Sequence, residues 1–213
     1  MLRVFSVLFA GVSAAHLVFT LVHKRAFQDL SKICLVPLLG AAYVLGAEHP
    51  AVPILLALLF GWGGDIFLLK ISDVRFFRLG LASFLLGHLC YIPSFLSAAG
   101  ELHSTALLVS AAAALPLAFA IHSFIKPEKA MNLPVIIYEI IILLMSLSAL
   151  QLLISRRDGW GLLVFAGSLC FLVSDTLLAY CTFRTKPKHG DFFVMLFYIA
   201  AQAGIIRGMM FVL

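Results

Sequence analysis

Eight apolar runs, each close to the length that crosses a bilayer, follow one another through this chain with only a few residues between them. A spanning helix takes about 17–25 largely apolar residues, and in lipid the backbone must satisfy its own hydrogen bonds. The runs therefore read as helices, over 2–22, 30–47, 51–70, 76–98, 103–123, 132–154, 160–183 and 191–212. The second is the most interrupted, by Pro37 and Gly40. The breaks carry turn chemistry, as in Glu48-His49-Pro50, Lys126-Pro127-Glu128-Lys129 and Lys186-Pro187-Lys188-His189-Gly190. Only 12% of residues are charged, against about 25% in a soluble domain. No soluble domain fits between the runs. The expected architecture is one all-α transmembrane domain over residues 1–213, polytopic, with eight transmembrane helices.

An even number of spans puts both termini on one side. Of the fifteen lysines and arginines, Arg3, Arg156, Arg157 and Arg207 fall on that side and eleven on the other. Positive loops stay in the cytoplasm, so both termini are expected to be non-cytoplasmic. No basic block is interleaved with aromatics, which sets nucleic-acid binding aside. Cys34, Cys90, Cys170 and Cys181 lie in or beside apolar runs without CxxC spacing and read as small hydrophobes. The first run resembles a signal peptide, but its stronger charges, Lys24 and Arg25, follow it, so an uncleaved first span is preferred.

Within the third run stands Gly61-Trp62-Gly63-Gly64-Asp65, and within the seventh Ser174-Asp175. An ionised group in the bilayer costs at least about 2.5–3.5 kcal/mol, so each aspartate is a functional candidate by default. Gly64-Asp65-Ile66-Phe67-Leu68 resembles Ser174-Asp175-Thr176-Leu177-Leu178, and Asp73-Val74-Arg75-Phe76-Phe77 is similar to Asp191-Phe192-Phe193. Together they suggest a faint four-plus-four parallel repeat.

At a rise of about 1.5 Å per residue, Lys32, Asp65, His88, Tyr91, Tyr138, Glu139, Asp175, Tyr198 and Gln202 all fall between the cytoplasmic edge and the midplane. His16 and Arg207 are assigned to the outer half. The clustering points to one cavity open to the cytoplasmic side. The plainer account is a set of separate interhelical hydrogen bonds, each worth about 0.6 kcal/mol. That account weighs most for Tyr138, Tyr198 and Gln202 and least for the aspartates. His88, a lone histidine on an apolar face, reads first as a packing or hydrogen-bonding residue, with the tuning of an aspartate's proton affinity as the functional alternative.

Two carboxylic acids across a cavity can divide the roles of general acid and general base, which suits hydrolysis through an oxocarbenium ion. A zinc hydrolase would want three protein ligands, and no GxSxG elbow is present for a serine nucleophile. The ordered set Gly63-Gly64-Asp65 with Phe67-Leu68, Phe84-x3-His88-x2-Tyr91, Ser174-Asp175 and Tyr198-x3-Gln202 resembles the YhhN-like lysoplasmalogenases over nearly the whole chain. The resemblance implies hydrolysis of the vinyl ether bond of lysoplasmalogens to a fatty aldehyde and glycerophosphoethanolamine or glycerophosphocholine. It implies Asp65 and Asp175 as catalytic. The substrate expected is a lysophospholipid drawn from the bilayer, with no metal and no organic cofactor. His88, Tyr91, Tyr138 and Gln202 would position water or stabilise charge. Lys32, with Arg75 or Arg78, would hold the phosphate. Glu139 has no assigned part. The rivals are a proton-coupled transporter or channel using the same acids, and a metal-dependent lipid amidase or receptor-like protein.

Overall fold

The apolar runs fold as helices throughout. A computed structural model describes residues 1–212 and contains α1 (Leu2–Leu21), α2 (Arg25–Gly46), α3 (Val52–Leu68), α4 (Val74–Ala99), α5 (Ser104–Ile125), α6 (Lys129–Arg156), α7 (Gly159–Phe183) and α8 (Gly190–Val212), with no strand among the described residues. Seven of these helices are long and apolar enough to cross a membrane, and α3, at 17 residues, is the short one. The chain is a polytopic all-α membrane protein. Its outward surface carries Val4, Val7, Leu108, Val109, Leu115, Phe119 and Leu133, all more than half exposed. That surface is what lipid tails would cover.

Helix α2 begins at Arg25 rather than near residue 30 and runs 22 residues through Pro37 and Gly40. Proline has no N–H for the carbonyl four residues back, so Ile33 O loses its helical donor. The indole Nε1 of Trp62, on α3, donates to that oxygen at 2.9 Å. The interruption legible at Pro37 is thus repaired from the neighbouring helix rather than by a break. Helix α6 extends beyond its apolar run at both ends, to 28 residues.

The helices pack most extensively as α7 on α8, α3 on α4 and α1 on α2, with α4 and α7 both against α6. Small residues set the closest approaches, as is general in membranes. A Cβ built on Gly204 would stand 3.2 Å from Leu163 O and 3.3 Å from Gly167 Cα, so α7 and α8 touch backbone to backbone there. On the other pair, a Cβ on Gly87 would meet Ala57 O at 3.2 Å. Helix α5 is different in kind. It leans on α6 and α7, and Ile125 is its one fully buried residue.

Candidate active site

Asp65 lies three residues before the end of α3 and Asp175 eight before the end of α7. At the helical rise that is about 4–5 Å and 12 Å from the same end of the bundle. The short reach of α3 beyond Asp65 places its carboxylate near the entrance, and the longer α7 sinks Asp175 deeper.

Asp65 is 1% exposed. Lys32 Nζ, on α2, stands 3.4 Å from Oδ1, and the Tyr198 hydroxyl, on α8, donates to Oδ2 at 2.5 Å. Gln202, one turn on from Tyr198, donates through Nε2 to the Tyr198 oxygen at 3.3 Å, and its Oε1 accepts from Tyr91 OH at 3.3 Å. A relay of polar groups therefore runs from α4 through α8 to Asp65.

Asp175 has a separate set of partners. Tyr138 OH, on α6, donates to Oδ2 at 2.5 Å, and His88 Nε2, on α4, lies 3.3 Å from the same oxygen and 2.9 Å from the Tyr138 hydroxyl. Tyr138 has one proton and gives it to Asp175, so His88 Nε2 is the donor of this trio. The imidazole is held edge-on against Phe171, centroids 5.2 Å apart. No hydrogen bond reaches Asp175 Oδ1 among the described residues.

Two cavities meet at Asp175. The first is polar. It is lined by Asp65, Asp175, Lys32, His16, Thr20 and Tyr198, and ends in Arg25, Gln28, Asp29, Lys186 and Asp191 where α2 and α8 begin. The second is apolar, lined by Phe77, Leu81, Ile121, Ile125, Leu172 and Phe183, with Tyr138, Glu139 and Asp175 as its polar residues besides Thr176. Leu68, Phe84 and Leu178 belong to the walls of both. Both carboxyl groups thus stand in the wall of the charged cavity, and Asp175 stands in the wall of the apolar one as well.

The residues singled out in the sequence are distributed unevenly about these cavities. Lys32, Asp65, His88, Tyr91, Tyr138, Asp175, Tyr198 and Gln202 form the two hydrogen-bonded groups. Arg75 is not brought to them. It is exposed, with Nη2 3.1 Å from Asp73 Oδ2, and its guanidinium holds the Asp73 carboxyl below the usual carboxylate range. Arg78 directs Nε to Met131 Sδ at 3.3 Å and lines a third cavity with Glu128 and Lys186, apart from both aspartates. The basic residues at the entrance are Arg25 and Lys186, which in the sequence speak only of sidedness. Glu139 faces the apolar cavity. Its Oε2 pairs with His122 Nδ1 at 3.0 Å, His122 Nε2 reaches Asn132 Oδ1 at 3.0 Å, and Glu139 Oε1 has no partner.

The sequence assigns His16 to the outer half of the bundle; the structure corrects this and places it in the polar cavity beside Asp65. It lies five residues before the end of α1, so it is near the same bundle end as Asp65. Depth counted back from Lys24 gives that position, whereas depth counted from Arg3 does not.

The two aspartates are bonded from helices at matching places in the chain order. A spacing of 110 residues separates Asp65 from Asp175 and His88 from Tyr198. Asp65 on α3 is bonded from α2 and α8, and Asp175 on α7 from α6 and α4. These are corresponding helices of the two halves. The likeness of Asp73 to Asp191 does not extend to structure. Asp73 precedes α4 and accepts from Arg75 N, whereas Asp191 is inside α8 and pairs with Lys186 Nζ at 2.7 Å.

Chemically, the arrangement offers two carboxyl groups with unequal surroundings, one paired with an ammonium and one with an oxygen left open. Among the described residues no three His, Cys, Asp or Glu side chains are grouped to hold a metal ion. Comparisons with curated proteins and with solved structures return no match. A family model does match, over residues 27–209, which takes in both aspartates and every partner named above except His16, Thr20 and Arg25. The chain belongs to the YhhN family.

Proposed function

We propose that this protein is a lysoplasmalogenase, a hydrolase that cleaves the vinyl ether bond of lysoplasmalogens by acid–base catalysis between Asp65 and Asp175. One observation carries the reading: both carboxyl groups line a cavity with a charged mouth, and Asp175 also lines an apolar cavity next to it. The substrate has the same profile, a charged headgroup, a glycerol, a scissile bond and a long alkenyl chain. Membership in the YhhN family, which includes lysoplasmalogenases, supports it.

The headgroup phosphate sits among Arg25, Lys186 and Lys32, and the chain lies against Phe77, Leu81 and Leu172. Asp175 is the acid. Its Oδ2 is occupied by Tyr138 and His88, which leaves Oδ1 to carry a proton to the vinyl carbon remote from oxygen. The electron pair of the double bond forms the new C–H bond, and the carbon next to oxygen becomes an oxocarbenium ion. Asp65, ion-paired to Lys32, is the base. It takes a proton from water as the water oxygen bonds to that carbon. As the hemiacetal C–O bond breaks, Asp65 returns that proton to the glycerol oxygen and Asp175 takes the hemiacetal hydroxyl proton, giving aldehyde and alcohol and restoring both carboxyl groups. One water is consumed, and no metal or organic cofactor enters the balance. The entrance faces the cytoplasm and both termini face away from it, in keeping with the charge asymmetry.

Purified protein in detergent, given lysoplasmalogen, should release fatty aldehyde. Asp65→Asn and Asp175→Asn should each lower turnover by about 10²–10⁴-fold, the range of a lost general acid or base, with little change in melting temperature. Substantial activity in either variant sinks the mechanism. A proton-coupled transporter is the second reading, favoured by the paired halves of the bundle. Turnover without any gradient separates it from an enzyme.

A further inference from the structure

His16 lines the polar cavity and has no part in the mechanism above. It is 2% exposed, and its Nδ1 lies 2.8 Å from Ser31 Oγ on α2. Ser31 has one hydroxyl proton, and that proton is already committed. Its Oγ is 2.6 Å from Phe27 O and 3.0 Å from Gln28 O, approaches that would repel without a hydrogen between the oxygens. Ser31 Oγ therefore accepts from His16, which makes Nδ1 the donor. In the neutral ring Nε2 is then a lone-pair acceptor. It is buried and has no partner. Buried acceptors are nearly always satisfied, and one that is not invites a donor from a ligand.

The level of His16 says which donor. It lies five residues from the end of α1, between the entrance residues Arg25 and Lys186 and the deeper Asp175. A lipid with its headgroup at the entrance and its ether bond at Asp175 puts its glycerol carbons at that level. In a lysolipid the glycerol carbon beside the ether carries a free hydroxyl. We infer that His16 Nε2 accepts a hydrogen bond from that hydroxyl, so that His16 is the residue through which the site distinguishes a lysolipid from one acylated at the neighbouring carbon. This rests on the proposed substrate class but not on the acid–base chemistry. An ester at that carbon has no donor and leaves Nε2 unpaired.

The test is binding rather than turnover, with saturated 1-O-alkyl glycerophosphoethanolamine, which has no vinyl group to protonate, and its 2-deoxy analogue. The wild type should bind the hydroxyl form about tenfold more tightly, the effect of one buried hydrogen bond. His16→Asn retains an amide N–H for Ser31 but has no atom at the Nε2 position, and should bind the two ligands alike. His16→Gln, with an acceptor near that position, should recover part of the preference. An undiminished preference in His16→Asn overturns the inference. So does a wild type that binds both ligands equally, the result expected if water alone occupies Nε2. Should His16→Asn fail to fold in detergent, the wild-type comparison and His16→Gln decide. A hydroxyl preference without aldehyde release from the vinyl ether lipid would remove the proposed reaction and leave this assignment standing.

Discussion

Asp65 and Asp175 have the same two-donor environment in outline but different donors. An ammonium and a phenol serve Asp65, and a phenol and an imidazole serve Asp175. The difference can be measured. Lys32→Met should lower turnover by about 10²-fold and destabilise the fold by about 3–5 kcal/mol, because a buried carboxylate loses its counter-charge. The double variant Lys32→Met/Asp65→Asn should recover the melting temperature and not the turnover. Recovery of turnover would contradict the role given to Asp65. Tyr138→Phe takes one of two donors from Asp175 and should lower turnover by about tenfold, the worth of one buried hydrogen bond, with His88 retaining the rest. The carboxylates are legible in the sequence because an acid inside an apolar run is costly and rarely kept without a use. His16 is not, because its depth depends on which end of its span faces the site. Arg25 and Lys186 escape a sequence reading because loop charges speak of sidedness and not of direction. Arg75 and Arg78 are near the entrance in sequence, but helix α4 turns them toward Asp73 and Met131 instead.

At the scale of single helices, hydropathy locates all eight elements and errs mainly at their ends. Helix α2 begins earlier than its apolar run because Arg25, Gln28 and Asp29 face the polar cavity, where an apolar residue would be out of place. Pro37 looks like a weakness in sequence because the donor that compensates it, Trp62, is on another helix. Trp62→Phe should cost about 1–2 kcal/mol by leaving Ile33 O unpaired, and much less in a Pro37→Ala background, where residue 37 regains its N–H. Thermal melts of the four proteins in one detergent would measure the coupling, and strictly additive losses would refute it. The contact of Gly204 with Gly167 makes a different demand. Gly204→Leu must push α8 off α7, at a cost of about 1–3 kcal/mol. The same change at Gly11, which has open space around it, should be nearly silent.

Across the whole molecule, one aspartate lies in α1–α4 and one in α5–α8, and each half completes the other. Tyr198 from the second half serves Asp65 in the first, and His88 from the first serves Asp175 in the second. The sequence hints at this through a few matching residues, but pairing across the halves depends on packing that no local pattern encodes. Sidedness is open to direct measurement. Single cysteines introduced near residue 3 and near the C-terminus of α8 should be labelled from outside intact cells by a membrane-impermeant reagent, and one in the turn at 126–129 only after permeabilisation.

Helix α5 packs on one flank and leaves the rest of its apolar surface exposed for lipid to cover, yet Ile121 and Ile125 wall the apolar chamber. Its seat is therefore set partly by the thickness and lateral pressure of the surrounding bilayer. Under the proposed function, turnover in vesicles of graded acyl length should shift with membrane thickness while the melting of the bundle stays nearly constant, so that the host membrane would act as a further wall of the chamber.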